Sequence, residues 1–125
     1  MVEKGICRPS NSPYASALHM VSKKEPNSWR PCGDYRMLNN VTIRDSYPLP
    51  QLSSFSMKGM KLFTTLDLTK AYHQIPVAPE DIHKTAVSTP FGLFGFLPMP
   101  FGLRNAGQSF QRFMNEILGD LPFVF

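Results

Sequence analysis

Proline decides most of what this chain can become. Twelve prolines and eight glycines are spread through its 125 residues, and each proline fixes φ and removes a backbone donor. Long helices are therefore excluded from most of the chain, which leaves short strands, turns and helical turns between the breaks. No internal repeat, low-complexity tract or Gly/Ser linker interrupts that pattern. Hydrophobic residues make up 42% of the chain, which supports one domain with a real core and argues against disorder. No run approaches the roughly 18 apolar residues of a membrane span, and Met1 to Arg8 is too polar for a signal peptide. The plain reading is a soluble, cytoplasmic protein with no membrane partner. Cys7 and Cys32 fit no CxxC or Cys/His ligand spacing and read as reduced packing residues.

Between the breaks, periodicity assigns the elements. Leu18 to Lys24 reads as a strand with Leu18 and Met20 on one face. A turn at Glu25-Pro26-Asn27-Ser28 leads to a second strand, Trp29 to Arg36, so a β-hairpin with basic residues near its tip is predicted. Pro31 lacks a ladder donor, which puts this strand at an edge or gives it a bulge. Tyr47-Pro48-Leu49-Pro50 is extended and leads into a short amphipathic helix near Gln51 to Met57. Lys61 to Leu68 has the clearest strand pattern. Leu62, Thr64, Leu66 and Leu68 face one way; Phe63, Thr65 and Asp67 face the other. Pro79 to Ile82 reads as a helical turn. Thr85 to Thr89 and Leu93 to Leu97 are predicted strands joined at Pro90-Phe91-Gly92. Asn105 to Leu118 is the one long helical pattern, with Ala106, Phe110, Phe113, Met114, Ile117 and Leu118 on one stripe. Asn105 is placed to cap its start and Gly119 its end. Phe123-Val124-Phe125 reads as the opening of another strand. Short mixed strands with few helices give an α+β class.

Charge is unevenly spread. The net charge is +4, and residues 1–44 hold seven Lys/Arg against three acids, while residues 45–125 hold six of each sign. A basic first third interleaved with Tyr14, Trp29 and Tyr35 suits phosphate or nucleic acid, and it equally suits a solvated basic face. Asp67 ends an apolar strand pattern and precedes Lys70-Ala71-Tyr72. A carboxylate there can bind a divalent cation, with backbone amides nearby to meet an anion. Taken alone it is also an ordinary turn or cap residue. His19, His73 and His83 are isolated and read as packing or surface residues.

The words around Asp67 narrow the choice. Leu66-Asp67-Leu68-Thr69-Lys70-Ala71-Tyr72-His73-Gln74-Ile75-Pro76 resembles the first catalytic motif of gypsy-type LTR-retrotransposon reverse transcriptases. Trp29-Arg30-Pro31-Cys32-Gly33-Asp34-Tyr35-Arg36-Met37-Leu38-Asn39 resembles their fingers motif. Lys84-Thr85-Ala86, Thr89-Pro90-Phe91-Gly92-Leu93 and Met99-Pro100-Phe101-Gly102-Leu103-Arg104-Asn105-Ala106 match three further blocks in the same order, and Phe110-Gln111-Arg112-Phe113-Met114 follows. Five blocks in register cover nearly the whole chain.

That resemblance implies the fingers and palm of a right-hand polymerase with an incomplete palm sheet. Residues 1–60 would be fingers-like, with fingers strands again at 84–98; 61–77 and 99–125 would be partial palm. It implies an RNA-directed DNA polymerase using two Mg²⁺ (or Mn²⁺) ions, with Asp67 as one of three metal-binding carboxylates and the Leu68 carbonyl as a further ligand. Lys23, Lys24, Arg30, Lys70, Ala71, Tyr72 and Phe101 would meet the nucleotide. Arg suits phosphate through its planar fork and Lys as a mobile point charge. Tyr72 would exclude a ribose 2′-hydroxyl, although a core tyrosine explains its spacing as well. Asp34, Arg36, Asn39, Gly102 and Arg104 would serve the template, and a structural Asp34–Arg36 pair fits equally. The implied partners are an RNA or DNA template with primer, deoxynucleoside triphosphates, and the remaining palm, thumb and RNase H regions of a polyprotein, in a virus-like particle for an active element.

Three positions depart from the family pattern: Gly95 stands where a Glu is usual, Pro98 where an Arg is usual, and Gly107 where Pro or Ala is usual. The second active-site motif, an aromatic, a variable residue and two aspartates, is expected shortly after Phe125, so the chain by itself is expected to be inactive. A non-catalytic nucleic-acid-binding remnant and an unexpressed relic are the rival readings.

Overall fold

A computed structural model describes residues 1–50, 59 and 61–121. Five short strands form one sheet: β1 (Cys7–Pro9), β2 (Ser16–Ser22), β3 (Trp29–Gly33), β4 (Val87–Thr89) and β5 (Gly92–Phe96), in the order β1-β5-β4-β2-β3. Helix α1 (Arg36–Val41) follows β3, and α2 (Ala106–Leu118) follows β5. All neighbours are antiparallel except β2 and β4, which pair in parallel through Ser16↔Val87 and Ala17↔Ser88. Both edge strands carry a proline, Pro9 in β1 and Pro31 in β3. A residue without an N–H is tolerated there because it removes no central ladder bond.

The β2–β3 hairpin forms as its turn chemistry predicts, with Ser22 opposite Trp29 and Asn27 at φ +56°. Asn tolerates the left-handed region better than most residues. β3 ends at Gly33, however, three residues before the predicted Arg36. The reason is Tyr35, 2% exposed and the largest fully buried side chain among the described residues. Turning it inward breaks the strand, and the chain continues as α1, a helix the periodicity did not reveal. Tyr35 packs with Cys7, Val87 and Phe96 to make the core, bordered by Ile6, Leu18, Leu38, Phe94 and Leu103.

Thr85 is the one polar core residue among those described. It lies in a 3-10 turn, Ile82–Thr85, rather than in the predicted strand. Its hydroxyl donates to the Ile82 carbonyl (2.7 Å) and accepts from the Phe96 N–H (2.9 Å), so its burial is compensated. Gly95 packs directly on the same turn. A Cβ there would lie 3.1 Å from both Cγ2 and the carbonyl oxygen of Ile82, which leaves little room for the family's usual Glu.

The clearest strand pattern of the sequence forms no strand. Lys61 to Leu68 has no ladder partner among the described residues, and Leu62 is 92%, Phe63 63% and Leu66 84% exposed. Alternation shows that a segment can be half-buried in a sheet, but only a paired neighbour makes it one. Helix α2 matches its predicted span within one residue, yet Asn105 makes no side-chain cap. Its side chain instead accepts from the Asp45 N–H (3.1 Å) and donates to the Ile43 carbonyl (2.8 Å), tying an extended segment to the helix start. Gly119 ends α2 with φ −58°, so the left-handed cap expected there is absent. The predicted helix near Gln51 to Met57 and strand at Phe123 to Phe125 lie outside the described residues. No helix among the described residues is long and apolar enough to cross a membrane.

Candidate active site

The segment after Asp67 is held against the turn that carries Phe101. A 3-10 turn spans Ala71–Gln74. Beyond it, the Val77 N–H donates to the Leu97 carbonyl and the Met99 N–H to the Ile75 carbonyl, both at 2.8 Å. Pro76 and Pro98 face each other in an isolated antiparallel bridge. Lys70, just before the turn, has φ +54° and ψ +45°. That left-handed conformation is unfavourable for a side chain with a Cβ and marks a backbone whose direction is set by its surroundings.

Three of the residues assigned to the nucleotide meet here. The Arg30 guanidinium carbon lies 4.7 Å from the Phe101 ring centroid, within cation–π range. The Phe101 ring is 5.3 Å from that of Tyr72, which in turn meets Phe110 of α2 nearly edge-on at 5.6 Å. Arg30 comes from β3, Tyr72 from the 3-10 turn and Phe101 from the turn after β5, so three distant stretches converge. Lys70 and Ala71 adjoin Tyr72 in sequence. Asp67 and Leu68 sit in the exposed segment leading to it. Lys23 and Lys24 stay at the exposed hairpin turn, and among the described residues no hydrogen bond or ion pair joins them to the cluster.

His73, which the sequence offers as a packing or surface residue, also belongs to the cluster. Its ring centroid is 5.9 Å from Phe101, and its Nδ1 is enclosed with no hydrogen-bond partner among the described residues. Burial, and then the positive charge of Lys70, hold its pKa below the ordinary histidine value. No simple sequence signal marks it beyond adjacency to Tyr72.

The residues assigned to the template divide into two groups. Asn39, Gly102 and Arg104 form one network. The Asn39 amide donates to the Gly102 carbonyl (2.8 Å) and accepts from the Arg104 N–H (2.8 Å), while the Arg104 guanidinium donates to the Asn39 carbonyl (2.9 Å). Gly102 has φ +94°, and a Cβ there would approach the Gly33 carbonyl oxygen to 3.4 Å. Glycine is therefore favoured by conformation at that position. Asp34 and Arg36 pair with each other. Arg36 Nε donates to Asp34 Oδ1 at 2.8 Å while its Nη2 engages Oδ2. The Arg36 side chain first, and its backbone N–H second, pull the Asp34 carboxyl down to about 2.

Another cluster ties α2 to the extended stretch before it. Arg112 pairs with Asp45 at 2.8 Å and stacks over Tyr47 at 4.2 Å, whose hydroxyl accepts from the Asn115 amide at 2.7 Å. Among the described residues there is no group of three or more His, Cys, Asp or Glu side chains able to hold a metal ion.

Known proteins share both the sequence and the fold. Residues 21–123 match the family described as reverse transcriptase (RNA-dependent DNA polymerase). The chain is 48% identical to the retrovirus-related Pol polyprotein from transposon opus of Drosophila melanogaster, over 94% of this chain and 12% of that protein. It is 43% identical to the corresponding polyprotein from transposon gypsy of the same organism, over 100% of this chain and 13% of the relative. The chain thus spans about an eighth of the length of these relatives. In fold it is similar to the foamy viral protease-reverse transcriptase solved with double-stranded DNA, with a TM-score of 0.84 at 17% identity, covering 99% of this chain and 22% of that one. The same viral protein solved with an RNA/DNA hybrid gives a TM-score of 0.78. The mixed sheet with its helices is the expected α+β fingers-and-palm fold. On its matched residues and on its identity to these polyproteins, the chain belongs to the reverse transcriptase family of LTR retrotransposons.

Proposed function

We propose that this chain forms the nucleotide-facing part of an RNA-directed DNA polymerase that performs template-directed deoxynucleotidyl transfer. The observation that carries the reading is the convergence of Arg30, Phe101 and Tyr72 beside the Lys70–Ala71 turn. Arg30 stacks on the Phe101 ring, which leaves its outer N–H groups able to meet phosphate oxygens. The Lys70 and Ala71 backbone N–H groups would meet the triphosphate. Tyr72, braced by Phe101 and Phe110, would lie under the sugar and exclude a 2′-hydroxyl. Residues 1–60 and 84–98 would act as fingers, and 61–77 and 99–125 as part of the palm.

The fit to Mg²⁺ or Mn²⁺ is partial. Asp67 and the neighbouring Leu68 carbonyl are exposed oxygen donors of the hard type these ions prefer. They supply two ligands, and the described residues contain no cluster that would complete a site. When bound, two such ions would activate the primer 3′-hydroxyl and stabilise the leaving pyrophosphate. Asp67 is the contribution this chain makes to holding them. The template would run along the side bearing Asp34, Arg36, Gly102 and Arg104, with Asn39 holding the Gly102–Arg104 backbone. Lys23 and Lys24 would reach the triphosphate from the hairpin tip.

Primer extension tests the proposal. The 125-residue chain alone should incorporate no deoxynucleotide with either metal, because it offers one catalytic carboxylate. In a polypeptide that continues this chain through an aromatic-x-Asp-Asp motif, incorporation should appear. Asp67→Asn should remove nearly all of it, and Tyr72→Ala should admit ribonucleotides. Incorporation that survives Asp67→Asn, or an unchanged ribo/deoxy ratio of kcat/KM in Tyr72→Ala, would overturn these assignments.

A further inference from the structure

The Arg30–Phe101 contact joins two stretches far apart in the chain, and one buried side chain packs against both. Tyr35 is 2% exposed, and its hydroxyl donates to the Thr85 carbonyl at 2.9 Å across the sheet. Its ring occupies the space a side chain would take at Gly33, the last residue of β3. A Cβ on Gly33 would lie 2.5 Å from Tyr35 Cζ and 2.6 Å from Cε2. Gly102 lies against the adjoining part of the same ring edge, where a Cβ would come 3.5 Å from Tyr35 Cδ2. The ring thus packs against two glycines, one three residues after Arg30 and the other next to Phe101. Backbone bonds hold the residue on both sides: the Asp34 N–H donates to the Ala17 carbonyl (2.8 Å), and the Asn39 N–H donates to the Tyr35 carbonyl (2.7 Å). Asn39 then clasps Gly102 and Arg104.

We propose that Tyr35 is a positioning residue for the nucleotide face: its ring, packed against both Gly33 and Gly102, sets how β3 and the Phe101 turn meet and so how Arg30 stacks on Phe101. It touches no substrate in this scheme and acts through those two residues. Gly33 has no side chain because the large aromatic ring occupies that space. Any side chain at Gly33 would displace the ring, and the displacement would pass to β3 and to the Phe101 turn because interiors are packed too closely to absorb it. The positioning itself rests on these contacts, and its consequence for nucleotide affinity rests on the function proposed above.

Nuclear magnetic resonance on the chain labelled at arginine separates the two. Protons over an aromatic face are shielded, so the Arg30 side chain should show upfield shifts that disappear in Phe101→Leu. Tyr35→Phe, which keeps the ring, should retain them. Tyr35→Leu and Gly33→Ala should lose them while the amide shifts of Ala106–Leu118, away from the ring, stay near wild type and the signals of the sheet remain dispersed. Retention of the shielding in either folded variant, or its loss in folded Tyr35→Phe, would overturn the proposal. If both substitutions unfold the chain, the Tyr35→Phe result decides alone. Titration with deoxythymidine triphosphate forms the second arm. A wild-type chain whose Arg30 signals ignore the triphosphate counts against the nucleotide reading, while the shielding data still judge the role of Tyr35.

Discussion

At the scale of single residues, this chain uses short-range chemistry to hold long-range geometry. Asp34 illustrates it. The carboxylate faces Arg36 two residues on, with His19 at 3.9 Å as a weaker partner. Its folded pKa of about 2 lies below the ordinary aspartate value of about 3.9. A depressed carboxylate stabilises the folded state above its unfolded pKa, and that contribution is lost as pH falls through the folded one. The relevant window is therefore about pH 4 down to about 2. The Asp34 carboxyl carbon should titrate with a midpoint of about 2, and Arg36→Ala should move that midpoint up toward the ordinary value. A midpoint that ignores Arg36→Ala would show that the pair is not formed in solution. The pair is exposed on the arginine side, so salt should weaken it.

At the scale of elements, helix α2 and the stretch from Lys61 to Leu68 each depart from expectation. Gly107 lies in the first turn of α2, where its backbone freedom weakens the helix. A Cβ there would lie 3.9 Å from Leu49 Cδ1, an ordinary contact, so the site has room. Gly107→Ala should stabilise the chain by about 0.5–1 kcal/mol, read as a raised denaturation midpoint with an unchanged slope. No gain would mean that the helix start is held in a conformation alanine resists. The stretch from Lys61 to Leu68 makes the opposite case, since its side chains alternate correctly and its backbone has no partner among the described residues. Hydrogen exchange should find the amides of Phe63 to Leu68 unprotected while those of Phe94 to Phe96 exchange slowly. Strong protection across Phe63 to Leu68 would mean that this segment pairs after all.

For the molecule as a whole, charge and exposed apolar surface set its behaviour. All seven basic residues of the first 44 are exposed, and among the described residues only Arg36 of the seven is ion-paired. Weak, sequence-independent binding to nucleic acid should follow, strongest at low salt. Each phosphate neutralised should add roughly 0.7–0.9 to the slope of log affinity against log salt. Replacing Lys23, Lys24 and Arg30 together should flatten that slope. Binding that ignores salt, or that survives the triple replacement unchanged, would remove the charge-based account of this surface. Leu62, Phe63 and Leu66 add exposed apolar side chains on a segment with no ladder partner among the described residues, a combination that favours intermolecular pairing.

Much of this architecture is legible in the amino-acid sequence alone. The turn at Glu25 to Ser28 announces the hairpin, Pro31 places its second strand at an edge, and the apolar stripe of residues 106–118 announces α2. Collinear motifs also group Arg30, Tyr72 and Phe101, and these three side chains meet. Such features depend on neighbours a few residues away, or on whole blocks whose order is itself the signal. What stays hidden depends on surfaces meeting across the fold. The inward turn of Tyr35 ends β3 early, because burying a large ring in the core outweighs three more residues of edge strand. Asn39 finds its partners 63 and 65 residues away, and Asn105 reaches back 60 and 62 residues instead of capping its own helix. Lys61 to Leu68 carries a strand's pattern without becoming one. A side-chain period records which faces a segment can bury, whereas its partner is chosen by the packing of the assembled chain.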